Sequence, residues 1–139
     1  MRFVLDTNTT ISGLFWLGAP HLLLEVAKRQ LFTPYTCPEL LTELFNVIRR
    51  PKFASKLAAT GRHPKGVIAE LLSISVQVAL PATIPQVCRD ANDDIVLACA
   101  VSAHADAIVS GDRDLQVLKY YQTIPILSAA EALLLLPSP

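Results

Sequence analysis

The stretch Arg2-Phe-Val-Leu-Asp-Thr-Asn8 decides how this chain reads. Phe3-Val-Leu5 is short and wholly apolar, the pattern of a strand buried on both faces, and Asp6 ends it in a polar turn. Two more acidic clusters stand in comparable places. Asp93-Asp94 opens the apolar run Ile95-Val-Leu-Ala-Cys-Ala100, which predicts a helix, and Ser110-Gly-Asp-Arg-Asp114 follows the short strand Ala107-Ile-Val109. Three carboxylate clusters at strand ends or helix starts, far apart in sequence, predict a fold that gathers them at one edge. Such a gathering suits a hard divalent cation, because Mg²⁺ takes oxygen ligands and keeps several of its waters.

Working outward, strand and helix signals alternate. After the breaker Gly18-Ala-Pro20, the residues Leu22, Leu23, Leu24, Val26 and Ala27 predict a helix ending near Gln30. Thr36 or Cys37 can cap the next helix, with Pro38 in its first turn and Glu39 placed for a capping box to Thr36. That helix carries Leu40, Leu41, Leu44, Val47 and Ile48 on one broad face, and Pro51 stops it. Lys52 to Leu72 predict two further helices broken around Gly61-Arg-His-Pro64. Ser73 to Leu80 alternates as a strand would, Asp93 to Ala105 is a helix buried on most sides, and Ile124-Pro-Ile-Leu127 predicts an edge strand because of Pro125. Ser128-Ala-Ala-Glu131 is a capping box that opens a terminal helix. Strands separated by helices predict a three-layer α/β/α sandwich around a parallel sheet. Ligands of such sheets bind outside the carboxyl ends of the strands, where Asp6 and the Asp112 cluster fall.

Composition agrees with one globular domain spanning residues 1–139. Apolar residues make up 52% and charged residues 17%, which excludes a disordered chain. The longest apolar runs are too short to span a bilayer, and an acid within the first strand does not suit a signal peptide. Cys37, Cys88 and Cys99 are odd in number and lack paired spacing, so they read as reduced thiols of a cytoplasmic protein. His21, His63 and His104 are scattered without metal-ligand spacing, and no phosphate loop, Ser-His-Asp pattern or Cys-x-x-Cys pair is present. Net charge is zero, yet its distribution is uneven. No acid occurs between Glu43 and Glu70, where Arg49, Arg50, Lys52, Lys56, Arg62 and Lys65 supply half of the 12 cations. One basic face beside one acidic pocket suits an anionic polymer led to a metal site, and a solvated helical surface accounts for the charge equally well.

The residues Val4-Leu-Asp-Thr-Asn8, Glu43-Leu44 with Arg50-Pro-Lys-Phe53, Asp93-Asp-Ile-Val-Leu-Ala-Cys-Ala100 and Ile108-Val-Ser-Gly-Asp-Arg-Asp-Leu115 resemble the PIN domain. The likeness extends from Arg2 to about Leu134 and is strongest to VapC-related toxins of prokaryotic toxin–antitoxin systems. It implies a nuclease whose four acids surround one or two Mg²⁺ or Mn²⁺ ions. Carried over residue by residue, these catalytic acids are Asp6, Glu43, Asp94 and Asp112, with Asp6, Asp94 and Asp112 holding metal. Asp94 is selected because the family's acid precedes a small residue by four positions, here Ala98. Asp114 is placed to assist as an outer ligand or to orient Arg113. Asn8, Ser110, Arg49, Arg50 and Lys52 would contact substrate. The resemblance also implies an RNA substrate, a cognate antitoxin and a homodimer. The chain departs from the family in Arg89-Asp-Ala-Asn-Asp-Asp94, which lacks a proline and has Asn92 in place of an acid.

Each residue also has a plainer reading. Asp6 and Asn8 suit Asx-turns, Glu43 suits a solvent-facing helix position, Asp93 and Asp94 suit a helix N-terminus, and Gly111 suits a tight turn. These readings give no reason for all four acids to fall at one sheet edge. Two rival functions follow from the same residues: a non-catalytic RNA-binding or scaffold domain, and a phosphatase of small esters. The latter lacks the Asp-x-Asp-x-Thr pattern of many such enzymes.

Overall fold

The computed structural model describes residues 1–137, so the last two residues of the expected domain lie outside the described residues. Strand β1 (Arg2–Leu5) runs through the middle of a six-stranded sheet, with Phe3 and Val4 both fully buried. Successive side chains of a strand point to opposite faces, and these two residues accordingly seed two different cores. Val4 packs with Ile108, Ile126 and the helical residues Val96, Leu97, Cys99 and Ala100. Phe3 packs on the other face with Ala107, Val109, Leu23, Val26, Ala27, Ala129 and Ala132. The result is helices on both faces of the sheet, the three-layer arrangement expected.

The remaining elements are α1 (Thr7–Phe15), α2 (Ala19–Lys28), β2 (Thr33–Thr36), α3 (Pro38–Ile48), a 3₁₀ turn (Pro51–Phe53), α4 (Ala54–Ala59) and α5 (Pro64–Ile74). They are followed by β3 (Val76–Gln77), α6 (Ala91–Ser102), β4 (Ala107–Val109), α7 (Arg113–Gln116), β5 (Tyr120–Tyr121), β6 (Ile124–Leu127) and α8 (Ala129–Leu133). Strand order is β3-β2-β1-β4-β6-β5. Every pairing is parallel except β5 with β6. A third cluster, formed by Ile11, Leu44, Ile48, Phe53, Leu57, Val67 and Leu71, ties α1 to α3, α4 and α5 beside the sheet. No single helix is long and apolar enough to cross a membrane among the described residues.

Several local expectations need correction. The polar turn after Asp6 is the first turn of α1, because Asp6 caps it: its Oδ1 accepts from Thr9 N at 2.8 Å. Thr9 and Thr10 are buried, their hydroxyls donating to Val109 O and Asp6 O. Thr33–Thr36 is a strand despite Pro34, and the Ser73–Leu80 strand shrinks to Val76–Gln77 because α5 continues through Ile74. Cys37 occupies the N-cap of α3 with no side-chain cap bond, so the Thr36–Glu39 box does not form. Strand β6 is not an edge, since β5 pairs outside it. Its register with β4 begins at Ile108↔Ile126, one residue past Pro125, so the missing N–H interrupts no paired position there. The capping box at Ser128 and Glu131 forms as expected, with bonds of 2.9 and 3.1 Å.

Candidate metal centre and active site

Parallel strands place their following residues side by side. Leu5 pairs with Val109 and Val109 with Leu127, so Asp6, Ser110 and Ser128 emerge in a row at the carboxyl edge. Helix α6 leads back to the amino end of β4, which leaves its own N-terminus, with Asp93 and Asp94, at that same edge. The topology therefore collects the acids that the sequence scatters.

Asp6 is 5% exposed. Its Oδ2 accepts the Ser110 hydroxyl at 2.5 Å, within the range for a donor to a charged carboxylate. Burial pushes its pKa up, opposed by the Ser110 and Thr9 hydrogen bonds, and the charge of Asp112 adds to the rise. Asp112 caps α7, its Oδ1 accepting from Asp114 N at 2.8 Å, while its own N–H donates to Ser110 Oγ at 3.0 Å. Ser110 is thus fully buried and supports two acids from beneath, rather than facing a substrate.

One carboxylate oxygen each from Asp93, Asp112 and Asp114 lie within 4.8 Å of one another. Asp93 is buried, and its Oδ2 has no hydrogen-bond partner. A buried carboxylate without a partner is costly. Burial first, then the charges of Asp112, Asp90, Asp6 and Asp114, raise its pKa to about 6. This orphaned anionic oxygen fits a cation that the surrounding carboxylates would share. Asp94 points elsewhere: its Oδ1 accepts from Val87 N at 3.0 Å and Cys88 N at 2.7 Å, holding the chain just before α6. Beside it, burial and the nearby acids push the Cys88 thiol up to about 11. Asp114 is gripped through both oxygens by the Arg89 guanidinium, at 2.8 and 3.0 Å, rather than orienting Arg113. Arg89 was not singled out by the sequence, although its place in the run Arg89–Asp94 sets it at the mouth of the cluster.

Glu43 completes the far side from α3. Its carboxyl is half-buried and its pKa is raised, first by burial and then by Asp90 and Asp6, with Thr7 and Arg50 opposing. Asn8 is exposed in the first turn of α1. It lines an open groove of about 510 Å³ with Ser12, Gly111, Asp112 and Ser128. Arg49, Arg50 and Lys52 are exposed beyond Glu43, Arg49 lying over the Phe45 ring and Lys52 over Phe53.

The chain matches the family model described as PIN domain over residues 2–114. It belongs to the PIN domain family. PIN domains are typically nucleases and commonly use divalent metals, and the acidic cluster at the sheet's carboxyl edge agrees with both properties. No curated protein and no solved structure matches the chain.

Proposed function

We propose that this PIN domain is a Mg²⁺-dependent or Mn²⁺-dependent endoribonuclease acting as the toxin of a toxin–antitoxin pair. The observation that carries the reading is the unpartnered, buried Asp93 oxygen beside Asp112 and Asp114, one strand away from Asp6. Asp6, Asp93 and Asp112 would hold the ion. We place Asp93 rather than Asp94 among the ligands because Asp94 is engaged by the backbone of Val87 and Cys88. When bound, a divalent cation supplies an acidified water and neutralises charge developing on phosphate oxygens.

The protein's own residues do the rest. Glu43, with its raised proton affinity, orients the attacking water and takes up its proton. Ser110 fixes the orientation of Asp6 and the backbone of Asp112. Arg89 holds Asp114 in place beside Asp112. Asn8 and the groove beside Asp112 receive the flanking nucleotide, while Arg49, Arg50 and Lys52 contact phosphates without reading bases. A cytoplasmic RNA substrate, a cognate antitoxin that silences the site, and a homodimer complete the proposal.

The test is RNA cleavage with Mg²⁺ or Mn²⁺, then with EDTA, by wild type and Asp6→Asn. Asn keeps the cap acceptor of α1 and removes the charge, so a folded Asp6→Asn protein should not cleave. Expression of the wild type should arrest growth and that of the variant should not. Full cleavage by folded Asp6→Asn would place the activity elsewhere. A non-catalytic RNA-binding domain is the reading that remains if the wild type binds RNA and metal without turnover.

A further inference from the structure

We propose that the far end of α1 is a stacking platform for single-stranded nucleic acid. Trp16 receives an unpaired base there, and Lys56, Lys52 and Arg49 take the adjoining phosphates. The idea rests on the nuclease reading and gives its substrate a second point of contact, away from the acids.

Trp16 follows directly on α1, the helix that Asp6 opens, and is 49% exposed. At 1.5 Å of rise per residue it stands about 15 Å from Asp6 along the helix axis, a few nucleotides of extended strand. Its base is anchored. Phe15 stacks on Phe53 with ring centroids 5.3 Å apart and meets Trp16 edge-on at 6.1 Å. The helix end is thereby tied to the Pro51–Phe53 turn, which brings the basic segment alongside.

The charge of this segment is free to bind anions. Arg62 pairs with Glu70, but among the described residues Arg49, Lys52 and Lys56 make no ion pair. Each lies instead over an aromatic face: Arg49 over Phe45 at 4.8 Å, Lys52 over Phe53 at 5.1 Å and Lys56 over Trp16 at 4.5 Å. A cation held over a ring keeps its full charge for a phosphate, whereas one paired with a carboxylate does not. An exposed aromatic ring beside unpaired cations, here Trp16, is the arrangement that sequence-tolerant single-strand binders use. A protein partner suits the patch less well, because the cores of protein interfaces are depleted of Lys. Duplex RNA suits it less well too, since its bases are already stacked and it is recognised by shape.

Trp16 is the chain's one tryptophan, so its emission reports the platform directly. The experiment titrates the 139-residue chain in EDTA with a short single-stranded RNA and with the same strand annealed to its complement. Saturable quenching by the single strand, much weaker with the duplex, is expected. Trp16→Ala should weaken single-strand affinity, followed by fluorescence anisotropy of labelled RNA, by about ten-fold, and Trp16→Phe should recover most of it. Quenching without cleavage once Mg²⁺ is restored would support the platform while removing the nuclease reading. Cleavage by wild type with no response of Trp16, or unchanged affinity in Trp16→Ala, would overturn the platform and leave the nuclease. A blue shift that depends on protein concentration and ignores RNA would also overturn it, assigning Trp16 to contact with a second copy.

Discussion

Ser110 donates its hydroxyl to Asp6 across two adjacent strands, although 104 residues separate them in the chain. The same Oγ accepts the N–H of Asp112. One buried hydroxyl therefore fixes the first acid of the site relative to the last. Neither acid needs a long side chain or a mobile loop to reach its place.

Ser110→Ala should accordingly damage the site through its supports. It leaves the Asp112 N–H without its partner and removes a donor that lowers the Asp6 pKa. A cost of about 1–3 kcal/mol is expected from the unsatisfied groups. Thermal melting without metal should show it, and calorimetric titration with Mn²⁺ should show weaker binding. Unchanged Mn²⁺ affinity would mean that Asp6 does not depend on Ser110 for its orientation.

Asp93 and Asp94 should separate cleanly on substitution. Asp93→Asn removes the crowded charge, so the metal-free protein should melt no lower than wild type, gain little from Mg²⁺ and lose cleavage. Asp94→Ala strands the N–H groups of Val87 and Cys88 and should lower stability by about 1–3 kcal/mol. The stabilisation by Mg²⁺ should survive in that variant, at least in part. The reverse pattern would return Asp94 to the metal.

Stability of the metal-free protein should fall as pH rises from about 4 to about 6. The Asp93 carboxyl, faced by Asp112, Asp90, Asp6 and Asp114, moves from an ordinary 3.8 to about 6 in the folded protein. Within that window the folded state keeps a proton that the unfolded chain has released, so raising pH favours unfolding. Below it both states are protonated, and above it the loss is complete. Asp6 and Glu43 are raised too and act in the same direction. The Asp93 share is about 3 kcal/mol. Urea unfolding in EDTA at several pH values should show the slope, Asp93→Asn should flatten it, and Mg²⁺ should reverse it. A stability that rises through this window would show that the carboxylates are relieved by some other contact.

Gly13→Ala should test how α1 is seated. A Cβ at Gly13 would come within 2.7 Å of both the Leu24 Cδ1 atom and the Pro20 carbonyl oxygen. Helix propensity alone favours Ala, but the clash with backbone should win and cost about 1–3 kcal/mol. Differential scanning calorimetry should find a lower Tm. A higher one would mean that α2 can retreat without loss.

Much of this arrangement was legible in the sequence, and the failures have physical causes. Strands β1 and β4 announced themselves because they are buried on both faces, and β6 did so by its short apolar run. Helix α1 did not, because Thr7-Asn-Thr-Thr10 has the composition of a turn and only the Asp6 cap converts it to a helical start. Strand β2 was hidden by Pro34, and β5 by its length of two residues. The choice between Asp93 and Asp94 depends on the phase of α6, since neighbouring side chains on a helix diverge by about 100°. A helix buried from Val96 to Ala100 without a break has no apolar stripe from which that phase can be read. Arg89 and its grip on Asp114 arise from a loop whose path follows from the Asp94 clamp, a contact no local pattern encodes.

Both flanks of the sheet close with strands of two residues, Val76–Gln77 on one side and Tyr120–Tyr121 on the other. Such stubs expose almost no open ladder, the usual defence against edge-to-edge aggregation. A second copy of the chain finds too few free peptide groups there to extend the sheet between molecules. Contacts between copies are thereby turned away from the strands that lead to Asp6 and Ser110 and toward side chains on the helical layers.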